Sequence, residues 1–381
     1  MANYWSSYDF TQIPFQDIES VGQRTLLHRD LFCVSWLLGR FCNYRCSYCW
    51  PYARSDKKDH RSTELVLKTL AEIKRQARER NFNSFHFSFS GGEPTMHPGY
   101  LEILKTYSED QKNCNYQSLH MTSNVSAGLG WFKKYVETTK DINRVSVTAS
   151  YHKEFTTKEP FAEKLVFLQE NDINVTINMV MVPERFELLW EEALYFHEQG
   201  INVTLKPQSN PTATAVVQGY TDEMLKRLRN GMPQRDYTAK RLETNSKSSL
   251  RPKACFAPYP EKDASGEEIP QIMQVELNDN KGQKFFMDQA ERFNAFNFNQ
   301  FKGWECSAGY RSIIIREPDG AIKRSYSCND KPLGYLETGF ELFPKAMPCI
   351  TQSCVSSADS KIPKRKAGTQ WPLWPGDTAS V

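Results

Sequence analysis

Three cysteines, Cys42, Cys46 and Cys49, fall within eight residues of the stretch FCNYRCSYCW, spaced C-x3-C-x2-C, with the aromatic Tyr48 beside the last. Clustered thiolates are soft ligands, suited to zinc or to iron–sulfur groups. Structural zinc takes four protein ligands, and a cubane iron–sulfur cluster takes one cysteine for each of its irons. With three thiolates on the loop, a fourth ligand comes from elsewhere or one position is open to an exogenous ligand. A second set, Cys306, Cys328, Cys349 and Cys354, stands near the C-terminal end, while Cys33, Cys114 and Cys255 are scattered.

The composition narrows the setting. The chain has 381 residues, enough for one large domain and a smaller one. Hydrophobic residues make up 39% and charged residues 24%, as in ordinary globular proteins. A net charge of +3 is too small to argue for nucleic acid or an anionic membrane. No apolar run approaches the ~18 residues of a membrane span. The opening MANYWSSYDFTQIPF has neither the basic start nor the apolar core of a signal peptide. A cytoplasmic protein is expected. In that reducing compartment ten cysteines read as metal ligands or catalytic thiols rather than as disulfides.

From residue 31 to 207 the hydrophobic pattern alternates between strand and helix periods. LFCVSWLL (31–38), SFHFSFS (84–90), YQSLHMTSN (116–124), NRVSVTAS (143–150), INVTINMVMV (173–182) and INVTLKP (201–207) read as strands. Helices fall between them; over 63–80, Val66, Leu70, Ile73 and Ala77 share one face. Six strands separated by helices demand parallel pairing with right-handed crossovers. The fold class is therefore α/β, a (β/α)6 partial TIM-type barrel followed by a small α+β domain. The cysteine loop follows the first barrel strand and so lies at the C-terminal mouth, where such barrels do their chemistry. The expected organisation is an N-terminal extension over 1–30, the barrel over 31–230, a polar linker over 231–260, the small domain over 261–358 and a tail over 359–381. Hairpins are expected to turn at Asn280–Gly282 and at Pro318–Asp319–Gly320. The tail, basic and then rich in Trp and Pro, reads as disordered or draped on the surface.

Strand parity adds an expectation about the barrel interior. Phe85, Phe87 and Phe89 share one face of their strand, and five strands show one apolar and one polar face. Packing the apolar face on the helices directs His86, His120, Thr122, Thr148, Asn178, Thr204 and Lys206 into the lumen. A closed packed barrel could not bury these groups unpaired. A wet cavity for a polar substrate follows, or else a polar network bonded to itself.

C-x3-C-x-Φ-C with Tyr48 as the aromatic resembles the signature of the radical S-adenosylmethionine enzymes. SFSGGEPTMHP, with Gly91, Gly92 and Glu93 at the end of the second barrel strand, is similar to that family's GGE-type motif. The resemblance covers roughly residues 31–207. It implies that Cys42, Cys46 and Cys49 hold three irons of a 4Fe–4S cluster, while S-adenosylmethionine chelates the fourth through its amino and carboxylate groups. It implies that one electron cleaves the sulfonium to methionine and a 5′-deoxyadenosyl radical, which takes a hydrogen atom from the substrate; the cofactor carries the hard chemistry. It also implies that Tyr48 packs on the adenine, that Gly91, Gly92 and Glu93 meet the methionyl amino group, and that Asn124, Ser150 and His152 meet the ribose or carboxylate.

The segment WECSAGYRSIIIREPDGAIKRSYSC has Cys306, a glycine three residues on, a hairpin and then Cys328. It looks like the start of the auxiliary-cluster domain called SPASM, or of its shorter twitch form, with Cys349 and Cys354 of MPCITQSC completing the set. Four cysteines fit the one-cluster form. The resemblance then implies a second 4Fe–4S cluster, saturated by protein ligands, that relays an electron; the same four thiols would also suit zinc.

The implied function is a radical oxidoreductase or isomerase acting on a polar small molecule such as a sugar or cyclitol. His152, Lys206 and Cys255 are the candidate catalytic residues, Cys255 as a hydrogen-atom donor or an extra ligand. One alternative is a radical enzyme that modifies a peptide or protein with a separate recognition partner, because residues 1–30 leave no room for the winged-helix peptide-binding module that many such enzymes carry. Another is RNA modification, hinted at by the basic stretches KRLETNSKSSLRPK and KIPKRK, though such runs are usually solvated surface. A non-catalytic zinc protein is the last. A one-electron donor such as flavodoxin or ferredoxin is the expected protein partner, with no membrane and no nucleic acid.

Overall fold

Alternation with period two gives each barrel strand an apolar and a polar face, and the computed structural model builds its sheet on that division. It describes residues 14–23, 31–50, 53–58, 60–211, 215–233, 275–287, 299–354, 356–360 and 362–369. After β1 (Ile18–Gln23) come β2 (Leu31–Leu37), β3 (Ser84–Ser90), β4 (Tyr116–Ser123), β5 (Arg144–Tyr151), β6 (Asn174–Met181) and β7 (Asn202–Pro207). Strands β2 to β7 pair in sequence order, all parallel. Between them run α1 (Thr63–Arg78), α2 (Tyr100–Glu109), α3 (Leu129–Thr139), α4 (Lys158–Glu170) and α5 (Phe186–Glu198), and α6 (Asp222–Asn230) follows β7. Ser62 caps α1 by accepting the backbone N–H of Leu65, and Val66, Leu70, Ile73 and Ala77 of that helix are buried.

The apolar strand residues, among them Phe85, Phe87, Phe89, Met121, Val147 and Ile177, share one core with Ile73, Leu104, Phe132, Leu165 and Phe196 of the helices. The alternate residues are half-buried on the other face: Ser35, His86, Ser88, His120, Thr122, Thr148 and Asn178. The polar face therefore lines the lumen, as parity predicts, and part of it is bonded to itself. His86 Nδ1 meets Ser118 Oγ at 2.8 Å, Ser88 Oγ meets His120 Nδ1 at 2.8 Å, and His120 Nε2 meets Thr148 Oγ1 at 2.8 Å. On β7 the same face, with Thr204 and Lys206, is exposed.

The remaining strands are β8 (Val275–Asp279), β9 (Lys284–Met287), β10 (Glu305–Cys306), β11 (Ser312–Ile315), β12 (Ala321–Lys323), β13 (Gly334–Tyr335), β14 (Gly339–Phe340), β15 (Met347–Pro348) and β16 (Lys364–Arg365). The hairpins β8–β9 and β11–β12 turn where expected, with Gly282 at φ +77° and Gly320 at φ +65°. Two features depart from the sequence expectation. First, β11 lies parallel on the free edge of β2, pairing Ser312 with Cys33 through Ile315 with Trp36. The barrel sheet thus runs on without a break into the small domain, in the order β14-β13-β12-β11-β2-β3-β4-β5-β6-β7. All four residues of β11 are buried, which is the mark of a strand covered on both faces.

Second, the chain ends meet. β1, from the segment read as an extension, pairs with β8 and β16 in a second sheet ordered β15-β10-β16-β1-β8-β9. KIPKRK supplies β16, so this part of the expected surface tail is structural: Lys364 is fully buried and Arg365 Nε donates to Glu305 at 2.6 Å. Composition marks such a run as solvated; its ladder partners, far away in sequence, are what bury it. The stretch KRLETNSKSSLRPK, most of the linker and Cys255 lie outside the described residues. Among the described residues no helix is long and apolar enough to cross a membrane.

The lumen histidines make stability depend on pH. Burial pushes His86 down to about 3 and His120 to about 4, below the ordinary 6.5, and the neighbouring Arg144 charge adds to both shifts. Both rings stay neutral in the fold while the unfolded chain takes up protons near 6.5. Stability is therefore full above that pH and falls as the pH drops toward 4. Denaturant unfolding should show a loss approaching about 1.4 kcal/mol per histidine for each pH unit. A His86→Asn, His120→Asn double variant should show a shallower slope.

Candidate active site

The cysteine loop leaves β2 and is spliced at once onto the end of β3. Leu38 N–H donates to Ser90 O at 2.8 Å, Gly92 N–H to Gly39 O at 2.9 Å and Glu93 N–H to Phe41 O at 2.8 Å. This contact explains the two glycines. A Cβ on Gly91, which sits at φ +122°, would stand 2.2 Å from Gly39 O, and one on Gly92 would stand 2.1 Å from Phe41 O. The glycines are thus required by the backbone of the cysteine loop itself.

Glu93 is 2% exposed and carries the splice on to β4. Its Oε1 accepts from Thr95 N at 3.1 Å, Thr95 Oγ1 at 2.7 Å and Ser123 Oγ at 2.7 Å, and its Oε2 accepts from Asn124 N at 2.6 Å. Burial pushes its pKa up and these donors pull against it. Asn124 reaches back to the loop: Nδ2 donates to Asn43 Oδ1 at 3.0 Å and lies 3.7 Å from Cys42 Sγ.

The other side of the loop rests on the turn after β5. Tyr48 OH and His152 Nδ1 are 2.8 Å apart. Ser47 donates to Glu154 from its backbone N at 2.8 Å and from its hydroxyl. Tyr44 stacks on Phe155 with centroids 4.6 Å apart. Burial pushes His152 down to about 4, with Glu154 opposing, so the ring is neutral at pH 7. Trp50 Nε1 donates to Ser209 Oγ at 3.0 Å, tying the loop to the segment after β7 and so joining the two sides of the mouth. Ser150 stands half-buried on the inward face of β5, opposite Asn178, and Lys206 is exposed near the end of β7. Tyr48, Asn124 and His152, candidates from the sequence, stand at this mouth, and Asn43, Tyr44, Glu154 and Phe155, which sequence reasoning did not single out, join the same contacts. No motif marks them; their roles come from which loops meet at the mouth.

The surroundings of the three thiols bear on the group that their pattern implies. Burial pushes Cys42, Cys46 and Cys49 up, Cys46 to about 12, and the charges of Cys42 and Cys49 push Cys46 further. Three thiols so placed ionise together only against a bound cation. Donors for a thiolate are in place: Tyr44 N–H lies 3.4 Å from Cys42 Sγ, besides Asn124 Nδ2. This donor set fits a group in which each cysteine binds its own iron.

The second set is built differently. Cys306, Cys328, Cys349 and Cys354 are all 2–3% exposed. Cys349 N–H donates to Trp304 O at 2.7 Å and Cys354 N–H to Asn299 O at 2.9 Å. A hydrogen bond between Cys349 and Cys354 lowers the first thiol's pKa and raises the second's. Lys364 is the ladder partner of Cys306. Burial alone would push its pKa down, but the charges of Cys354, Cys306, Asp359 and Cys349 outweigh that and hold it above the ordinary value. Arg324, 4% exposed, lies beside Cys306 and Cys328 and its side chain hydrogen-bonds Cys306. A buried guanidinium and a buried ammonium beside four soft sulfurs fit an anionic iron–sulfur group.

The splice predicts the effect of one methyl group. Gly92→Ala drives a Cβ into Phe41 O and, at 2.4 Å, Arg40 O, and backbone on both sides leaves little room to yield. The variant should lose about 1–3 kcal/mol of stability. It should also lose iron at the trio, measured as iron content after anaerobic purification, while iron at the quartet stays.

The family model described as the radical SAM superfamily matches residues 36–229, just over half of the chain. A GTP 3′,8-cyclase of Haemophilus ducreyi is 38% identical over 71 residues, 18% of this chain and 20% of the relative. A cysteine-type anaerobic sulfatase-maturating enzyme of Clostridium perfringens is 34% identical over 80 residues, 20% of this chain and 21% of the relative. The chain thus spans about a fifth of the length of these curated relatives. A solved structure described as native anSMEcpe with bound AdoMet superposes with a TM-score of 0.48 at 15% identity, covering 81% of this chain and 79% of the other. With the trio, the GGE splice and the parallel barrel on one sheet, and a family model matched over more than half its length, the chain belongs to the radical SAM superfamily, whose members use a 4Fe–4S cluster and S-adenosylmethionine.

Proposed function

We propose that this radical SAM enzyme removes a hydrogen atom from a polar group of a peptide or protein, with Cys42, Cys46 and Cys49 holding the S-adenosylmethionine-binding cluster and Cys306, Cys328, Cys349 and Cys354 holding a second 4Fe–4S cluster. When bound, these groups supply a 5′-deoxyadenosyl radical able to take the hydrogen atom and a place for the electron left behind. The placement of the two cysteine sets carries the reading. The trio follows the C-terminal end of β2, while Cys306 precedes the N-terminal end of β11 and Cys328 follows the antiparallel β12. Because β11 runs parallel to β2, the quartet falls at the opposite end of the same strands, and the polar lumen lies between. The seven residues of β2, at roughly 3.3 Å each, span on the order of 20 Å.

In this reading the chain's own residues bind and orient. Ser88, His120 and Thr148 form a bonded band along the lumen, with Thr122 and Asn178 half-buried on the same face. Tyr326, two residues before Cys328, reaches Ser35 with its hydroxyl at 2.7 Å and brings the quartet's segment to the same cavity. A ring as weakly basic as His152 is a poor general base at neutral pH; its part is to fix Tyr48. Lys206, exposed on β7, is placed to meet an acidic or carbonyl group of an entering substrate. A flavodoxin or ferredoxin would supply the electron.

Two observations support a peptide or protein over the polar small molecule first expected. The clostridial relative is named as a sulfatase-maturating enzyme. The lumen face of β7 is exposed, so a substrate larger than the lumen can present one side chain from that side. The second reading, a polar small molecule such as a sugar or cyclitol, has the other curated relative on its side, named as a GTP 3′,8-cyclase.

Metal analysis and a substrate screen test the reading. Anaerobically purified protein should hold about eight irons per chain, and the Cys42/Cys46/Cys49→Ala variant about four. With reductant and S-adenosylmethionine, peptide pools should raise 5′-deoxyadenosine above the substrate-free level and yield a peptide lacking two hydrogens. Stimulation by polyols or aminocyclitols alone would establish the second reading. Zinc at both sites would overturn both.

A further inference from the structure

We infer that Arg324 and Lys364 are counter-cations of the C-terminal cysteine quartet, and that their buried charges raise the reduction potential of the cluster held there, making it an electron acceptor. The inference rests on the quartet being an iron–sulfur site. Four thiolates bring four negative charges into a place where no cysteine is more than 3% exposed. Buried charge is costly unless it is paired, and water is not at hand to solvate it.

Two cations on separate elements meet this need. Lys364 is fully buried and stands opposite Cys306 in the β10–β16 ladder. Its Nζ donates to Asp359 O at 2.6 Å and Ile362 O at 2.9 Å and lies 4.8 Å from the Phe301 ring centroid. These acceptors are neutral carbonyls, so its charge is not cancelled by a direct carboxylate contact. The Asp359 carboxylate is engaged elsewhere, accepting from Tyr326 N at 3.0 Å and from Ser327 N. Arg324 follows β12 and is 4% exposed. Its Nη1 lies 3.5 Å from Asp330 Oδ2 and donates to Pro348 O at 3.4 Å, next to Cys349. Its side chain also hydrogen-bonds Cys306, and Cys328 lies beside it.

Net charge, hydrogen bonds to sulfur and solvent exposure set the potential of such clusters. Reduction adds one more negative charge, so a fixed cation stabilises the reduced form more than the oxidised one. Low exposure strengthens the effect because the local dielectric is low. Both cations therefore act in one direction, toward accepting an electron. They are positioning residues, acting through the cysteines.

Potentiometric titration of the anaerobic holoenzyme, followed by electron paramagnetic resonance, tests this. Arg324→Met and Lys364→Met should each shift the second cluster's reduction equilibrium toward the oxidised form by at least about tenfold, about 59 mV for one electron, and leave the trio's cluster where it was. Arg324→Lys and Lys364→Arg should restore most of the shift. Full iron content with a change under about twofold would overturn the inference and leave the iron–sulfur reading intact. If the Met variants lose the quartet's irons while the charge-retaining variants keep them, the counter-charge is needed to hold the group and the inference stands. Loss in both kinds of variant would show that shape matters and charge does not, and would overturn it. Wild-type protein with about four irons per chain and zinc at the quartet would instead remove the reading on which the inference rests.

Discussion

The arrangement of the mouth depends on a backbone contact rather than on the cysteines. Gly92 N–H to Gly39 O and Glu93 N–H to Phe41 O continue the β2–β3 pairing past the ends of both strands. The rest of the loop is only half-buried and is held by scattered ring contacts and side-chain hydrogen bonds. The splice gives its first residues the rigidity of a sheet, and the buried Glu93 carboxylate passes that rigidity to Ser123 and Asn124 at the end of β4. Tyr44, Ser47 and Tyr48 then find Phe155, Glu154 and His152 already in place on the turn after β5. Pre-organisation of this kind is what a site needs if its ligands are to converge without losing much chain entropy on binding.

A partial barrel leaves two edges, and an unpaired edge is a liability. The chain deals with one of them by returning. β11 adds to β2, and β12, β13 and β14 carry the sheet onward. The same return brings Cys306 and Cys328 to the end of the strands away from the trio. The chain termini then close a second sheet, in which β16 lies between β10 and β1. Lys364 is buried there because its strand has a partner on each side. Topology, more than local composition, decides which charges in this molecule are solvated.

Sequence made the barrel legible because its signals are local. Period two against period 3.6 located six strands and their helices, and turn chemistry located both C-terminal hairpins. The lumen was legible for the same reason, since parity along a strand needs no knowledge of its neighbours. What was not legible depends on pairing between distant segments. Nothing in IESVGQ announces that it will pair with β8 and β16, and nothing in KRSYSC announces that Arg324 will be buried beside Cys306. The glycines of the GGE turn were legible as close-approach positions, but the atoms that approach them belong to the cysteine loop. Tyr44 and Glu154 gave no signal because a latch between two loops has no periodicity.

The two cysteine sets show how far environment divides residues of one type. The trio is half-exposed on a loop, with two N–H donors directed at Cys42. The quartet is buried, spread over strands and turns, and flanked by two cations. A half-exposed site with three protein ligands can admit and release a small molecule at its open position. A sealed site with four ligands cannot, and its exchange with the outside is limited to charge. The dielectric follows the same division, so a unit charge near the quartet counts for more than one near the trio. An electron leaving the lumen would therefore be drawn toward the end of the strands where Arg324 and Lys364 lie. The direction of flow in the proposed reaction thus comes from burial and fixed charge, which differ between the two ends although both sets are made of cysteines.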